Sequence, residues 1–262
     1  MTTRMTAPRL ARLIADGDAE AALKAADRVV VGEYYLPHIA HASMEPPVAT
    51  ARWADGKIEV WAPVQSPGGT REDLAKTLEI PIENVTVNVT LLGGGFGRKS
   101  KCDFAIEAAL LARELGVPVR VQWTREDDIH HDYYHTVSAE RIEAGLDKSG
   151  KVVAWRHRSA APSIGSTFAP DVKHQQPFEL GMGLIDLPFD IANVRCENPE
   201  AAAHTRIGWF RAVSNIPHGF AVQSMVAEIA HATGRDPKDV LLELIGPARI
   251  VPFSPSVEKP WN

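Results

Sequence analysis

The segment that most restricts the possible fold runs from residue 85 to residue 116, with the sequence VTVNVTLLGGGFGRKSKCDFAIEAALLARELG. Apolar and polar residues alternate over its first positions, which is the period-two pattern of a half-buried strand. After the glycines, apolar residues from Phe104 to Leu115 recur on one helical face, and Gly116 ends the helix. The segment therefore predicts a strand, a glycine-rich loop and a helix in direct succession.

The rest of the first half alternates between the same two patterns. Residues 28–36 form a predicted strand, and a hairpin with Asp55 and Gly56 in its turn follows. Thr70 is the predicted N-cap of a short helix that stops before Pro81. Short strands and helices interleaved in this way, without an internal repeat, predict an α+β fold with mixed sheets flanked by helices.

The second half begins with another predicted hairpin, whose turn spans residues 147–150. Residues 159–205 have weak periodicity and many Pro, Gly and Ala residues, so we expect loops with isolated short elements there. Two helices follow. Gly234 ends the first, and Asp236 caps the second.

These elements predict four parts along the chain. We expect an N-terminal helical segment over residues 1–27 and a first α+β part over residues 28–135, which contains the glycine loop. A second α+β part is expected over residues 136–248, followed by a tail over residues 249–262.

Composition limits the possible functions. No stretch of the 262 residues approaches the roughly 18 consecutive apolar residues of a membrane-spanning helix, so no membrane span is expected. A formal charge of -5 argues against nucleic acid as a partner, because nucleic-acid binders concentrate Lys and Arg on one face. Cys102 and Cys196 lack a CxxC partner and are expected to be buried free thiols. The N-terminus lacks the apolar block of an export signal.

The glycine loop has two interpretations from its residues alone. Glycines at a strand end let the backbone approach a ligand closely, and the following helix favours an anion. The spacing in GGGFGRKS matches neither the P-loop nor the dinucleotide-binding pattern. A tight strand-to-helix turn is the equally weighted alternative. Phe96 within the loop either fills the local core or forms a pocket wall.

Several motifs, in order, resemble one known family. They are PHIAHASMEPPVATA, the stretch from APVQSPGG to LLGGGFGRK, VQWTREDD, and GWFRAVSNIPHGFAVQSMVAEIAHATGRDP. Together they resemble the molybdopterin-binding subunit of the xanthine oxidase family, of the isoquinoline 1-oxidoreductase β-subunit and aldehyde dehydrogenase type. The resemblance covers about residues 20–245, and corresponds to the middle portion of the family's usual long chain.

The resemblance assigns positions to a cofactor site. It implies that a glutamine hydrogen-bonds the apical oxo group of molybdenum, that the glycine loop lies against metal and pterin, and that an arginine with its successor lies beside the metal. In this sequence these residues are Gln65, Gly94, Gly95, Phe96, Gly97, Arg211 and Ala212. No residue is expected to bind the metal directly, since the pterin holds molybdenum in this family.

The resemblance also implies a reaction and partners. The family hydroxylates small aldehydes or N-heteroaromatic compounds with molybdopterin, here in its cytosine dinucleotide form. It passes electrons to 2Fe-2S clusters on a partner subunit and, in this type, to a cytochrome c. The family's base glutamate lies in a GxGE segment that these residues lack, and Glu258 has no such glycines. We therefore expect no catalytic residue in this chain and a partner chain that completes the molybdenum subunit. The isolated chain is expected to be inactive, and its compartment stays open between cytoplasm and periplasm.

Two alternatives from other functional classes accompany this hypothesis. One is a non-catalytic paralogue or assembly subunit of such a complex. The other is a phosphate-ligand binding module built on the strand, glycine loop and helix. Ser100 stands where some family members have a substrate-contacting glutamate, which argues against a purine substrate.

Other polar groups favour structural roles. His130, His131 and His135 lack the glutamate of a zinc-protease motif, so a metal site there is disfavoured. Residues 125–128, an acidic run, are expected to form a solvated turn. His38 and His41 are expected to be structural or pocket-lining. For Arg98 and Lys99, contact with a cofactor pyrophosphate and simple exposure are equally weighted.

Overall fold

A computed structural model describes residues 10–169, 171–249, 251–254 and 257–261 of the chain. These residues fold as two compact units that are not continuous in sequence. The first unit comprises Met1–His38, Thr136–His204 and Ala212–Asn262, and the second comprises Ile39–His135 and Thr205–Arg211.

The elements are short and of mixed type. The strands are β1 Leu10–Asp16, β2 Arg28–Leu36, β3 Val48–Ala54, β4 Lys57–Ala62, β5 Val85–Val89, β6 Val119–Gln122, β7 Ser138–Leu146, β8 Val152–Ala160, β9 Val194–Pro199, β10 Val251–Ser254 and β11 Val257–Trp261. The helices are α1 Ala19–Ala25, α2 Pro67–Leu78, α3 Asp103–Leu115, α4 Arg125–His130, α5 Pro177–Leu180, α6 Asn215–Thr233 and α7 Pro237–Ile245. This mixture confirms the predicted α+β class.

The second unit is built on a four-stranded sheet in the order β5, β4, β3, β6. β3 and β4 form the predicted hairpin, and Asp55 and Gly56 have the positive φ angles that its turn requires. β4 and β5 are parallel neighbours joined through α2, so their carboxyl ends lie at the same edge of the sheet. The residues that follow β4 and those that follow β5 therefore lie close together at this edge.

The core of the second unit lies between this sheet and the helices α2 and α3. Ile58 and Val60 point from β4 into the core, where Leu74 of α2 and Phe104 of α3 are fully buried. The small residues of α3, with Ala108 at their centre, allow the helix to approach the sheet closely. The core therefore fixes the two strand ends that precede Gln65 and the glycine loop.

The first unit contains a five-stranded sheet in the order β1, β9, β8, β7, β2. β7 and β8 form the predicted hairpin, while β8 and β9 are parallel. The core of this unit contains Trp155 from β8 and Met225 and Ile229 from α6, with Val240 from α7. Cys196, like Cys102 of the second unit, is a buried free thiol, as predicted.

A buried polar network lies within the first unit. The Glu140 carboxylate accepts hydrogen bonds from His157 Nε2 at 2.9 Å, from Ser159 Oγ at 2.9 Å and from Ser138 Oγ. Ser159 Oγ also lies 3.1 Å from Nε2 of His218. Because all five side chains are buried, the carboxylate depends on these partners for its solvation.

The network makes the stability of the first unit dependent on pH. Burial alone raises the pKa of Glu140, but bonds from His157 and the histidine charges outweigh it and hold the pKa below 4.5. Burial lowers the pKa of His218 from 6.5. Both lowered pKa values stabilise the fold at a pH above the ordinary pKa of the group. As the pH falls below that ordinary value, the unfolded chain binds the proton more readily than the folded chain, and this stabilisation is lost.

We therefore expect the melting temperature to fall progressively as the pH is lowered from above 6.5 to below 4.5. Calorimetry over this range measures the effect, and a His218→Gln variant should lose the part of the fall that begins near the ordinary histidine pKa. A melting temperature that stays constant across the whole range would contradict the assignment.

Two predicted parts differ from the structure. The N-terminal helical segment contains α1, but β1 precedes it and pairs with β9, about 180 positions away. Residues 1–9 lie outside the described residues. The predicted tail contains β10 and β11, which pair antiparallel. The single boundary expected after residue 135 is one of several places where the chain passes between the units.

Two local predictions also change. Thr70 is not an N-cap: α2 begins at Pro67 after Ser66, and the Thr70 hydroxyl bonds Ser66 O inside the helix. The acidic run at residues 125–128 is not a solvated turn but most of α4, with a capping box from Thr124 and a buried Asp128.

Among the helices of the described residues, none has the length and apolar content to cross a membrane.

Candidate functional site

The glycine loop leaves the carboxyl end of β5 and ends in a short 3₁₀ turn at Arg98–Ser100. Gly94 has φ +97°, Phe96 +52° and Gly97 +105°. Left-handed values at three of four successive positions fold the backbone back on itself, and glycine adopts them without steric strain. Phe96 adopts such a value despite its side chain, which is exposed, so it does not fill the core.

Close neighbours explain why glycine is required at other loop positions. A Cβ on Gly93 would lie 2.5 Å from Cβ of Glu45, and one on Gly95 would lie 2.3 Å from Oε1 of Gln65. A Cβ on Gly97 would lie 1.8 Å from the carbonyl oxygen of Trp209, deep inside van der Waals contact. The loop backbone therefore packs closely against the side chains of Glu45 and Gln65 and against the backbone of Trp209.

Gln65 lies against this loop because it follows β4, the parallel neighbour of β5. Its backbone N–H donates to Lys99 O at 2.8 Å, and its Oε1 accepts from Gly97 N–H at 3.0 Å. The second of these bonds uses the acceptor end of the side-chain amide. Gln65 is exposed, and within the described residues its Nε2 group has no hydrogen-bond partner.

The segment Thr205–Arg211 brings the third predicted position to the same place. Arg211 N–H donates to Phe96 O at 2.8 Å, and Trp209 O lies against Gly97. The Arg211 side chain is exposed, and in the described part of the chain no acceptor pairs with its guanidinium. Gln65, the loop and Arg211 thus lie together in the second unit. Ala212 follows Arg211 and is exposed, with φ +67°.

The cations after the loop fit neither of their two interpretations. Arg98 and Lys99 are both about 1% exposed, so they are neither surface cations nor free to meet a pyrophosphate. Arg98 forms a two-pronged pair with Asp103, with both bonds at 3.0 Å. Lys99 Nζ donates to Glu45 Oε2 at 2.5 Å, and the same oxygen accepts from Gly93 N–H at 3.0 Å. Both cations therefore brace the loop from within.

Aromatic rings enclose the cations of this region. The Arg98 guanidinium lies 5.3 Å from the centres of the Trp123 and Tyr133 rings, and that of Arg206 lies 4.7 Å from Tyr133. Burial raises the pKa of the Tyr133 hydroxyl, with Asp103 acting in the same direction. The neutral ring is thus a stable platform for the cations around it.

Several contributors to the site lacked a clear sequence signal. Glu45, Asp132 and Trp209 contact the loop or its supports, yet each is separated by many positions from its partners. The histidine series forms no metal cluster: among the described residues no group of metal-binding side chains has suitable geometry. The ring of His131 packs near that of Trp123, and His135 near Phe210.

A comparison with known families decides the assignment. The model of the molybdopterin cofactor-binding domain matches residues 4–243, most of the chain. The chain belongs to this family. Membership confirms the predicted relation to the molybdopterin-binding subunits of the xanthine oxidase family, and the oxidoreductase relatives of the chain agree with it.

Curated relatives of this molybdopterin cofactor-binding domain include three oxidoreductase subunits. A nicotinate dehydrogenase subunit of Pseudomonas putida is 31% identical over 93% of this chain and 21% of its own length. The aldehyde oxidoreductase molybdenum-binding subunit PaoC of Escherichia coli is 30% identical over 92% and 32%. The β-subunit of isoquinoline 1-oxidoreductase from Brevundimonas diminuta is 30% identical over 77% and 26%. The chain thus spans between a fifth and a third of each relative.

Solved structures show the same fold. The aldehyde oxidoreductase of Desulfovibrio gigas superposes with a TM-score of 0.74 at 20% identity, over 88% of this chain and 25% of that one. Quinoline 2-oxidoreductase of Pseudomonas putida 86 gives 0.71 at 21% identity, over 90% and 30%. At these identities the likeness establishes the α+β architecture of the domain and nothing about its site.

Proposed function

We propose that this chain supplies part of the molybdenum cofactor site of a hydroxylase that oxidises small aldehydes or N-heteroaromatic compounds. The observation that carries the proposal is the convergence of Gln65 Nε2, the glycine loop and the Arg211 guanidinium, with donors that lack protein acceptors in the described residues. Subunits of nicotinate, isoquinoline and aldehyde oxidoreductases among the relatives support the substrate classes.

The residues present fit an anionic, oxygen-rich group. Gly97 fixes the acceptor end of Gln65, so the side-chain amide can turn only its donor end outward. Arg211 adds a fixed positive charge beside the loop. Gly94 and Gly97 are only partly buried and carry no side chain, so a flat pterin could approach the loop backbone closely, with the exposed Phe96 ring beside it. Gln65, Gly94, Gly95, Phe96, Gly97, Arg211 and Ala212 are the residues that we propose for cofactor contact.

The bound cofactor would supply the two-electron oxidation of the substrate carbon. This chain's residues would orient the group by donating from Gln65 and by balancing its charge with Arg211. A general base is a separate requirement. Glu45 and Asp103, the carboxylates beside the loop, are each ion-paired with a buried cation, so both face into the protein supports of the loop rather than a substrate. We therefore place the base glutamate outside these 262 residues.

The proposed assembly contains further chains. We propose a polypeptide that provides the rest of the molybdenum subunit, a 2Fe-2S subunit and a cytochrome c as electron acceptor, with the cytosine dinucleotide form of the cofactor. Exposed apolar residues beside the loop support a covering partner: Leu91 is 96% exposed and Met44 88% exposed. Without that partner we expect the isolated chain to be inactive.

Substitutions at Gln65 test the proposal. Gln65→Glu keeps an oxygen for Gly97 N–H but replaces the outward donor by a negative charge, whereas Gln65→Ala removes both groups. In the purified complex we expect molybdenum per chain to fall about tenfold or more in Gln65→Glu, because a charge-assisted donor is lost. Exchange of the Gly97 amide should stay slow in Gln65→Glu and become faster in Gln65→Ala.

Gln122→Ala is the matched control, since Gln122 is an exposed glutamine in β6 whose oxygen, among the described residues, accepts only from Arg120. It should leave molybdenum content unchanged. Unchanged molybdenum in Gln65→Glu would refute the proposed contact. A complex that retains molybdenum but oxidises neither aldehydes nor N-heteroaromatic compounds would instead identify a non-catalytic subunit.

A further inference from the structure

The carboxylate of Asp132 is the centre of a fully buried ionic cluster in the second unit. His41 Nδ1 lies 3.0 Å from both carboxylate oxygens, and the His41 backbone N–H donates to Oδ2 at 2.6 Å. Arg98 Nε lies 3.1 Å from Oδ1. The side chains of all three residues are 0% exposed, so the Asp132 carboxylate depends on Arg98 and His41 rather than on water for its stabilisation.

The opposite edge of the His41 ring faces a second acceptor. Nε2 lies 2.7 Å from the carbonyl oxygen of Trp209. A backbone carbonyl only accepts hydrogen bonds, so the ring donates the bond at Nε2. Nδ1 faces the Asp132 carboxylate, so the ring lies between two fixed groups. Asp132 orients the ring, and the ring in turn orients Trp209 O.

Trp209 O is also the atom that limits the space around Gly97. A Cβ on Gly97 would approach this oxygen to 1.8 Å, so the carbonyl and the loop backbone are in close contact. Two residues later, Arg211 N–H donates to Phe96 O at 2.8 Å. The position of one carbonyl thus sets where the Arg211 segment lies against the loop.

We propose that His41, oriented by Asp132, is a positioning residue that fixes Trp209 and Arg211 against Phe96 and Gly97. The effect on the molybdenum cofactor rests on the proposed function, whereas the effect on the protein segment does not. The His41 side chain is fully buried, so it would not contact a bound cofactor. It acts through the backbone of Trp209. Its contact with Phe210, at 4.8 Å between ring centres, is a packing role that substitutions can separate from the hydrogen bonds.

The test measures amide exchange by NMR in the full chain. His41→Phe keeps a ring against Phe210 and removes both ring bonds, while His41→Gln keeps a side-chain N–H that can reach Trp209 O. We expect exchange of the Arg211 amide to accelerate about tenfold in His41→Phe, the effect of losing one supporting hydrogen bond. In His41→Gln it should stay within about threefold of the wild-type rate.

Two further variants separate positioning from general destabilisation. Leu78→Ala removes a buried side chain of the α2 core, so it should accelerate the amide of Val60 in the sheet and that of Arg211 in parallel. His41→Phe should instead accelerate Arg211 much more than Val60. Asp132→Asn keeps the shape of the acceptor and removes its charge. Asp132→Asn should accelerate exchange of the Arg211 amide less than His41→Phe does. It replaces His41→Phe as the test if that variant does not fold.

The outcomes distinguish this inference from the proposed function. Selective acceleration at Arg211 in a chain whose complex contains no molybdenum would support positioning and refute the proposed function. If the complex contains molybdenum but His41→Phe and Asp132→Asn both exchange at the wild-type rate, the result would refute positioning and support the proposed function. Equal acceleration at Arg211 and Val60 would also overturn the inference, because it would indicate an ordinary core histidine.

Discussion

Gly97→Ala is expected to remove almost all molybdenum from the purified complex. The new Cβ would lie 1.8 Å from Trp209 O, and the residue would have to keep φ +105°. Neither strain can be relieved by rotating a side chain, because the neighbour is backbone. We expect a local destabilisation of about 3 kcal/mol or more, which displaces the Trp209 to Arg211 segment from the loop.

Gly116→Ala is the matched control for this experiment. Gly116 ends α3 with φ +64°, and no atom lies within 4 Å of its ideal Cβ position. It therefore carries the penalty of a left-handed backbone, about 1 kcal/mol, without the clash. Molybdenum analysis and thermal unfolding of both variants separate the two effects. Full molybdenum content in Gly97→Ala would show that the loop geometry is not needed for the cofactor.

Glu140→Ala is expected to be the most destabilising single change in the first unit. It leaves His157 and the hydroxyl of Ser138 buried without their acceptor. Each buried polar group left without its acceptor costs about 1 to 3 kcal/mol, so the sum over these groups is about 3 to 5 kcal/mol. In a chain of this size that corresponds to a fall in melting temperature of roughly 10 °C.

Glu33→Ala provides the comparison, since Glu33 on β2 pairs with Arg141 on β7 but the Glu33 side chain is 63% exposed. Solvent already stabilises both charges there, so we expect a loss below about 1 kcal/mol. Calorimetry of the two variants at one pH measures the contrast. Equal melting temperatures would mean that the buried network does not stabilise the unit.

Local patterns predicted the framework of the site well. The alternation in β5, the Asp55 and Gly56 turn and the Gly116 helix end depend on neighbouring residues, and all three are present in the structure. The joint assignment of Gln65 and the loop to one site came from the family resemblance, and the parallel strands β4 and β5, which end at one edge, explain why the two lie close together. These features need little information from distant parts of the chain.

The failures share a different cause, which is dependence on distant partners. Arg98 and Lys99 looked like surface cations or phosphate ligands because Asp132 and Glu45, which bury them, are 34 and 54 positions away. β1 was predicted as part of a helical segment because its partner strand β9 is about 180 positions away in sequence. Tertiary pairing overrides local propensity in each case.

The glycines illustrate the same limit within one motif. The glycines of the loop indicated close backbone approach, but not which atoms approach. The structure assigns Glu45 to Gly93, Gln65 to Gly95 and Trp209 to Gly97. Each neighbour comes from a different segment, so the requirement for glycine at each position becomes visible only in the folded unit.

The most direct test of the account is the molybdenum and pterin content of the complex that co-purifies with this chain, measured by inductively coupled plasma mass spectrometry and pterin fluorescence. The account predicts close to one molybdenum and one pterin for each copy of the chain. An intact complex that contains neither, after expression with adequate molybdate, would contradict it.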